Sequence, residues 1–228
     1  MCTVRRVSGP LRASVVIDYQ NIHLTAHDLF AAPGAQRHTS LIHPLHFATQ
    51  LVAARNAGLK EGFAPAVLSR VRVFRGLPSE EHDPDQYRRN LAQRAEWTRD
   101  QRVDVHLRPL TYRYERDATG RHLLDVHGRR QIVEVREKGV DVLVALAFVR
   151  EAADPDVDLV ILASHDTDLA PALDEALRID RAKVETCSWW NPDRYRTGAP
   201  RPSGERRVWN TRVRQTEFDR AQDRGDYS

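Results

Sequence analysis

Four aspartates stand where carboxylates could do chemistry. Asp18 closes the apolar run ASVVID at 13–18, Asp166 and Asp168 follow the run VDLVILA at 157–163, and Asp141 falls in the first turn of a helical stretch. The two apolar runs read as buried strands, and in a doubly wound sheet ligands bind beyond the carboxyl ends of the strands. Acids gathered there raise one another's pKa and resist ionising together unless a cation holds them. Oxygen-only ligation of this kind suits Mg²⁺ or Mn²⁺. Each acid also has a local alternative: Asp18 as a helix cap, Asp141 as a first-turn acid and Thr167-Asp168 as a further cap. The set says more than any member.

The elements that must position these acids alternate between strand and helix. After strand 13–18, a helix is expected with Asn21 as its cap, then a loop over 31–42 and a second helix from about His43 to Asn56 stopped by Gly58. A strand at 66–74 puts Arg70 and Arg72 on one face and Val71 and Val73 on the other. Asp83-Pro84 opens a helix running to about Asp100. A strand from Val103 to Glu115, bent at Pro109, leads into HLLDV and QIVEV around the His127-Gly128 turn, so 105–136 reads as an elaborated hairpin. A helix over Lys138 to Ala153, strand 157–163, a helix over Thr167 to Ile179 and a strand over Lys183 to Ser188 complete the pattern. Such alternation predicts an α/β fold, a doubly wound parallel sheet with an inserted β-hairpin and a C-terminal tail. The domain organisation expected is an N-terminal arm at 1–12, one catalytic domain at 13–190 and an arginine-rich tail at 191–228 that packs partially.

Three segments carry a likeness beyond composition. IDYQNIH at 17–23, EKGVDVLVALAFV at 137–149 and LASHDTDLAPAL at 162–173 resemble, in order and spacing, the signatures of NYN domains, a branch of the PIN-like ribonuclease superfamily. The resemblance covers about residues 13–188. It implies a PIN-like fold and a metal-dependent ribonuclease that hydrolyses RNA phosphodiester bonds. Asp18, Asp141, Asp166 and Asp168 would be its catalytic, metal-binding acids for Mg²⁺ or Mn²⁺. Asn21 and Lys138 would be polar partners beside them, and Ser164 the family's small hydroxyl residue after the strand. One position departs: His165 stands where the family usually has glycine. An imidazole there could crowd the pocket, add a hydrogen-bond donor or point to solvent. The alternative reading is a catalytically weak or inactive PIN-like module that binds RNA or another protein.

For the grip on RNA, expected to be single-stranded, Arg70, Arg72 and Arg75 on the second strand and Arg108, Tyr112, Arg113 and Tyr114 in the hairpin region combine guanidinium with aromatic rings. Cross-strand packing of the tyrosines with solvated arginines is the competing explanation. The histidine pairs His23/His27 and His43/His46 have no HExxH beside them and read as core or surface residues. Trp189-Trp190 reads as a packing anchor.

Composition sets the outer bounds. With 228 residues, 41% hydrophobic and 29% charged, one α/β core is the natural size and disorder of the body is excluded. A net charge of +3, carried by arginine far more than lysine, permits a nucleic-acid partner without requiring one. No P-loop or GxGxxG occurs, which removes nucleotide-binding readings of those types. No apolar run is long enough for a membrane span, and MCTVRRVSGPLR has no apolar segment to make it a secretory signal. Cys2 and Cys187, in no paired pattern, suit a reducing cytoplasm. A homodimer or a regulatory protein partner is compatible with this composition.

Overall fold

The computed structural model describes residues 9–194 and 198–227. Among the described residues, eight strands and six α-helices follow in the order β1 (Leu11–Asp18), α1 (Tyr19–Phe30), α2 (Pro44–Ala57), β2 (Ala66–Leu77), α3 (Pro84–Trp97), β3 (Val103–Pro109), β4 (Thr111–Tyr114), β5 (Ile132–Arg136), α4 (Val140–Ala153), β6 (Leu159–Ala163), α5 (Ala170–Ile179), β7 (Lys183–Trp189), β8 (Trp209–Val213) and α6 (Gln215–Ala221). Short 3₁₀ turns lie at Arg37–Ser40 and Thr167–Leu169.

Six strands form one parallel sheet in the order β3-β2-β1-β6-β7-β8. The order reverses between β1 and β6, so the crevice for a ligand in a doubly wound sheet lies between their carboxyl ends. Strand alternation sorts the core into two layers. Ala13, Val15 and Ile17 of β1, with Leu159 and Ile161 of β6, pack with α1, α2, Trp97 and α6. Val16, Val160 and Leu162 pack on the opposite face against α4 and α5. By the same parity Asp18 and Ser164 belong to the α4 face.

Three expectations change. The strand foreseen over 103–115 divides at Leu110: β3 ends in the main sheet, and β4 pairs antiparallel with β5 outside it. HLLDV makes isolated bridges, Arg116 to His122 and Leu124 to Arg130, because two tight turns at 117–120 and 125–128 consume its length. The segment after Trp190, expected as a tail that packs partially, contributes regular elements to the core. It supplies β8, paired parallel to β7, and α6, whose Phe218 and Ala221 are buried beside Trp189. The expected arm at 1–12 lies mostly outside the described residues, and its last two residues begin β1.

Within the core, Arg55 of α2 meets Glu185 of β7 in a bidentate pair, with both distances 3.1 Å and both side chains 1% exposed. Lys183 joins Glu185 at 2.8 Å. Among the described residues no helix is long and apolar enough to cross a membrane. Cys187 is a buried free thiol, and burial pushes its pKa up.

Candidate active site

Chain geometry puts Asp18 at the last position of β1 and simultaneously at the cap of α1. Its Oδ1 accepts from the Asn21 backbone N–H at 3.4 Å, so the cap is Asp18 and not Asn21. Asn21 instead turns its side chain across the crevice, where Oδ1 accepts from the His165 N–H at 2.7 Å. Ser164, fully buried after β6, donates to Asp18 Oδ2 at 3.1 Å and accepts from the Asp166 N–H at 3.0 Å. Asp166 in turn caps the following 3₁₀ turn through the Asp168 N–H at 2.9 Å. These bonds tie the ends of β1 and β6 together across the switch point.

Asp18 is buried, and desolvation raises its pKa to about 6 against the lowering effect of its Ser164 and Asn21 hydrogen bonds. The charges of Glu137 and Asp166 push it further up. Glu137 is the acid that sequence reading missed. It precedes α4, accepts from the Gly76 N–H, and is raised by burial and by the charge of Asp141. Its approach depends on Gly76: a Cβ there would stand 2.8 Å from Glu137 Oε1. The signal lay in the pairing of a glycine at the end of β2 with an acid just before α4, residues 61 positions apart.

Asp18 therefore feels the charges of Glu137 and Asp166, and Glu137 that of Asp141, at one end of the sheet. The donors are all oxygen, the chemistry that Mg²⁺ or Mn²⁺ takes, and a divalent charge would relieve the repulsion that raises Asp18. Among the described residues, however, no group of three or more acids, histidines or cysteines is placed to hold a metal ion.

No protein-family model matches the sequence, and no curated protein is similar to it. Among solved structures, a protein of unknown function from Vibrio parahaemolyticus is similar at 17% identity, with a TM-score of 0.43 over 80% of this chain and 83% of that one.

The remaining expected site residues divide sharply. Asp168 is exposed and meets Asp166 only through its backbone. Lys138 is also exposed, but its carbonyl accepts from Arg108 Nε at 2.6 Å, which lays the Arg108 guanidinium over Gly139 at the start of α4. Gly139 has φ +77°, a conformation that glycine adopts without strain. Arg70 and Arg72 are engaged in ion pairs: Arg70 with Asp154 at 2.6 Å, and Arg72 with Glu151 at 2.9 Å and Asp104 at 3.0 Å. Both guanidiniums are spent on fastening α4 and β3 to β2. Tyr112 is likewise engaged, its hydroxyl accepting from the Ser79 N–H at 2.7 Å and its ring 4.5 Å from that of His82. Tyr114 is held by His82 at 2.8 Å, and Arg113 pairs with Glu134 at 3.0 Å. Of the proposed substrate contacts, Asn21, Ser164 and Arg108 adjoin the crevice or its rim.

Of the three possibilities, His165 supplies a hydrogen-bond donor, directed at the segment after β7 and not into the crevice. Its Nδ1 bonds the Gly198 carbonyl at 3.1 Å, and its Nε2 accepts from the Trp189 N–H at 3.3 Å. That pattern requires the proton on Nδ1, and burial lowers the imidazole pKa in keeping with a neutral ring. The ring staples the β6 loop to β7 and to the segment that follows it.

Proposed function

We propose that this protein is a metal-dependent ribonuclease whose active centre is the crevice between β1 and β6. The observation that carries the reading is the buried Asp18 carboxylate, held by Ser164 and set beside Glu137 and Asp166 at the point where strand order reverses. The likeness of the segments at 17–23, 137–149 and 162–173 to NYN domains supports the same conclusion. Asp18 and Asp166 would hold Mg²⁺ or Mn²⁺, with Glu137 and Asp141 acting through water. A bound ion would supply charge to the scissile phosphate and lower the pKa of a water. Asn21 and Ser164 keep the two strand ends, and hence the acids, at fixed separation. Arg108 on the rim would meet a phosphate of single-stranded RNA. Two cysteines in no paired pattern suit the cytoplasm as its compartment.

The spread of the acids favours one competing reading, a module that binds RNA without cutting it. Cleavage of a mixed RNA pool in Mg²⁺ or Mn²⁺, compared between the wild type, Asp18→Asn and Asp166→Asn, separates the two. The nuclease reading expects metal-dependent cleavage that falls about a hundredfold or more in each variant. Undiminished cleavage in Asp18→Asn would sink it.

A further inference from the structure

On the opposite face of the sheet from Asp18, a cavity of about 320 Å³ opens between α1, the turn at 37–40, α3 and the C-terminal residues 225–227. Arg37, Arg75 and Arg89 line it together with His23 and Gln93, and Asp226 is the one acid in the lining. Elsewhere guanidiniums are commonly answered by carboxylates, as at Arg12, Arg55, Arg70 and Arg72. Among the described residues none of these three forms an ion pair.

Arg75 is the most telling of them. Its guanidinium lies 4.7 Å from the Tyr19 ring centroid and 5.7 Å from that of Trp97, and Nη1 donates to Gln93 Oε1 at 2.6 Å. Burial lowers its pKa against the raising charges of Tyr19 and Glu137, and among the described residues no carboxylate stands within ion-pair distance of it. A desolvated cation without a counter-ion is costly, and two rings and one amide offset only part of that cost. The neighbouring imidazole reports the same excess: burial, then the charges of Arg75 and Arg37 among others, bring His23 down to about 4.

We propose that this cavity binds a phosphate group, with Arg75 at its floor and the more exposed Arg37 and Arg89 at its rim. The planar, fixed guanidinium of Arg75 is already organised for two parallel N–H···O bonds, the geometry that phosphate oxygens accept. The volume exceeds what a lone phosphate fills and leaves room for an attached sugar. The group could come from a free nucleoside monophosphate or from a phosphorylated RNA end. The site does not rest on the nuclease reading, since Asp18 lies on the other face and, of the acids beside it, only Glu137 acts on Arg75, through charge and not through an ion pair.

Titration calorimetry in the presence of a chelator, so that no metal bridges the probe, tests this. The probes are inorganic phosphate, a ribonucleoside 5′-monophosphate, the same nucleoside without phosphate, and a short oligoribonucleotide with and without a 5′-phosphate. Phosphate-bearing probes should bind and the bare nucleoside should not. Arg37→Ala/Arg89→Ala, changed at the rim, should weaken binding at least about tenfold, and Arg75→Gln should abolish it. The rim variant decides the matter should Arg75→Gln fail to fold. In the wild type, phosphate should raise the His23 pKa seen by NMR. A preference for the phosphorylated over the unphosphorylated oligonucleotide assigns the site to RNA ends, and tight monophosphate binding without that preference assigns it to small phosphates. Unchanged affinity in the rim variant, or equal binding of the bare nucleoside, overturns the proposal. Asp18→Asn should bind phosphate as the wild type does, so failure of the nuclease reading would leave this result standing.

Discussion

Asp18 caps a helix and sits among other acids, and the two roles pull its ionisation in opposite directions. The net effect is a pKa raised from 3.8 to about 6. The folded protein then holds the proton more tightly than the unfolded chain, so stability falls as pH rises from about 4 to about 6 and remains lower above that. The cost at neutral pH is on the order of 3 kcal/mol. Asp18→Asn keeps a capping oxygen and removes that cost, so its melting temperature in the absence of metal should exceed the wild type's at pH 7.5, with the gain vanishing near pH 4. Mg²⁺ or Mn²⁺ should raise the melting temperature of the wild type and not of this variant. A variant less stable than the wild type at pH 7.5 would show that the carboxylate is not under strain. His165 makes the opposite case, a residue beside the acids that serves packing. His165→Gly should lose about 1–3 kcal/mol of stability from two hydrogen bonds, read in a denaturant melt, while metal-induced stabilisation stays as in the wild type.

At the scale of elements, β8 and α6 complete the layer that holds α1 and α2 on the sheet. Phe218 lies 1% exposed against Trp189 and Phe30, so Phe218→Ala should cost about 3–5 kcal/mol, measured by urea unfolding. A loss below about 1 kcal/mol would mean that the segment is an appendage after all. The Arg55–Glu185 pair fastens α2 to β7 where neither charge meets solvent. Glu185→Gln leaves Arg55 buried without its carboxylate and should cost about 3–5 kcal/mol, whereas replacing both partners by apolar residues of similar volume should cost much less. Of these elements, the strand at 183–188 was legible in the sequence. Trp209–Val213 was not, because a short edge strand half open to solvent carries little hydrophobic pattern.

For the whole molecule, the pH profile joins two buried groups of opposite effect. His23 is lowered to about 4 from 6.5, so its contribution is intact above pH 6.5 and is lost as pH falls toward 4, a change of about 3 kcal/mol. Asp18 gains stability over much of that range. The wild type should therefore have a flat stability profile between pH 4 and 6.5, and Asp18→Asn should expose a slope with stability falling toward acid. RNA binding, tested on the whole chain, should weaken with salt by a logarithmic slope of about 0.7 per phosphate neutralised. Because Arg70 and Arg72 are spent internally, replacing either should alter folding stability and leave that slope unchanged.

The alternation of apolar runs with helical periods was enough by itself to determine a doubly wound parallel sheet and to put Asp18 and Asp166 at strand ends. Those features are local: hydrogen bonding and burial impose period 2 or 3.6 on neighbouring residues, and the pattern is written where it acts. Which charges are free was decided only by tertiary structure. Arg70 and Arg75 lie five positions apart on one strand, yet opposite faces send one to Asp154 and the other to a cavity without an ion-pair partner. Glu137 joins Asp18 because Gly76 lets it approach, and His165 turns to Gly198 because β7 brings the Trp189 N–H to its ring. Contacts between residues tens of positions apart depend on packing geometry, which no local period records.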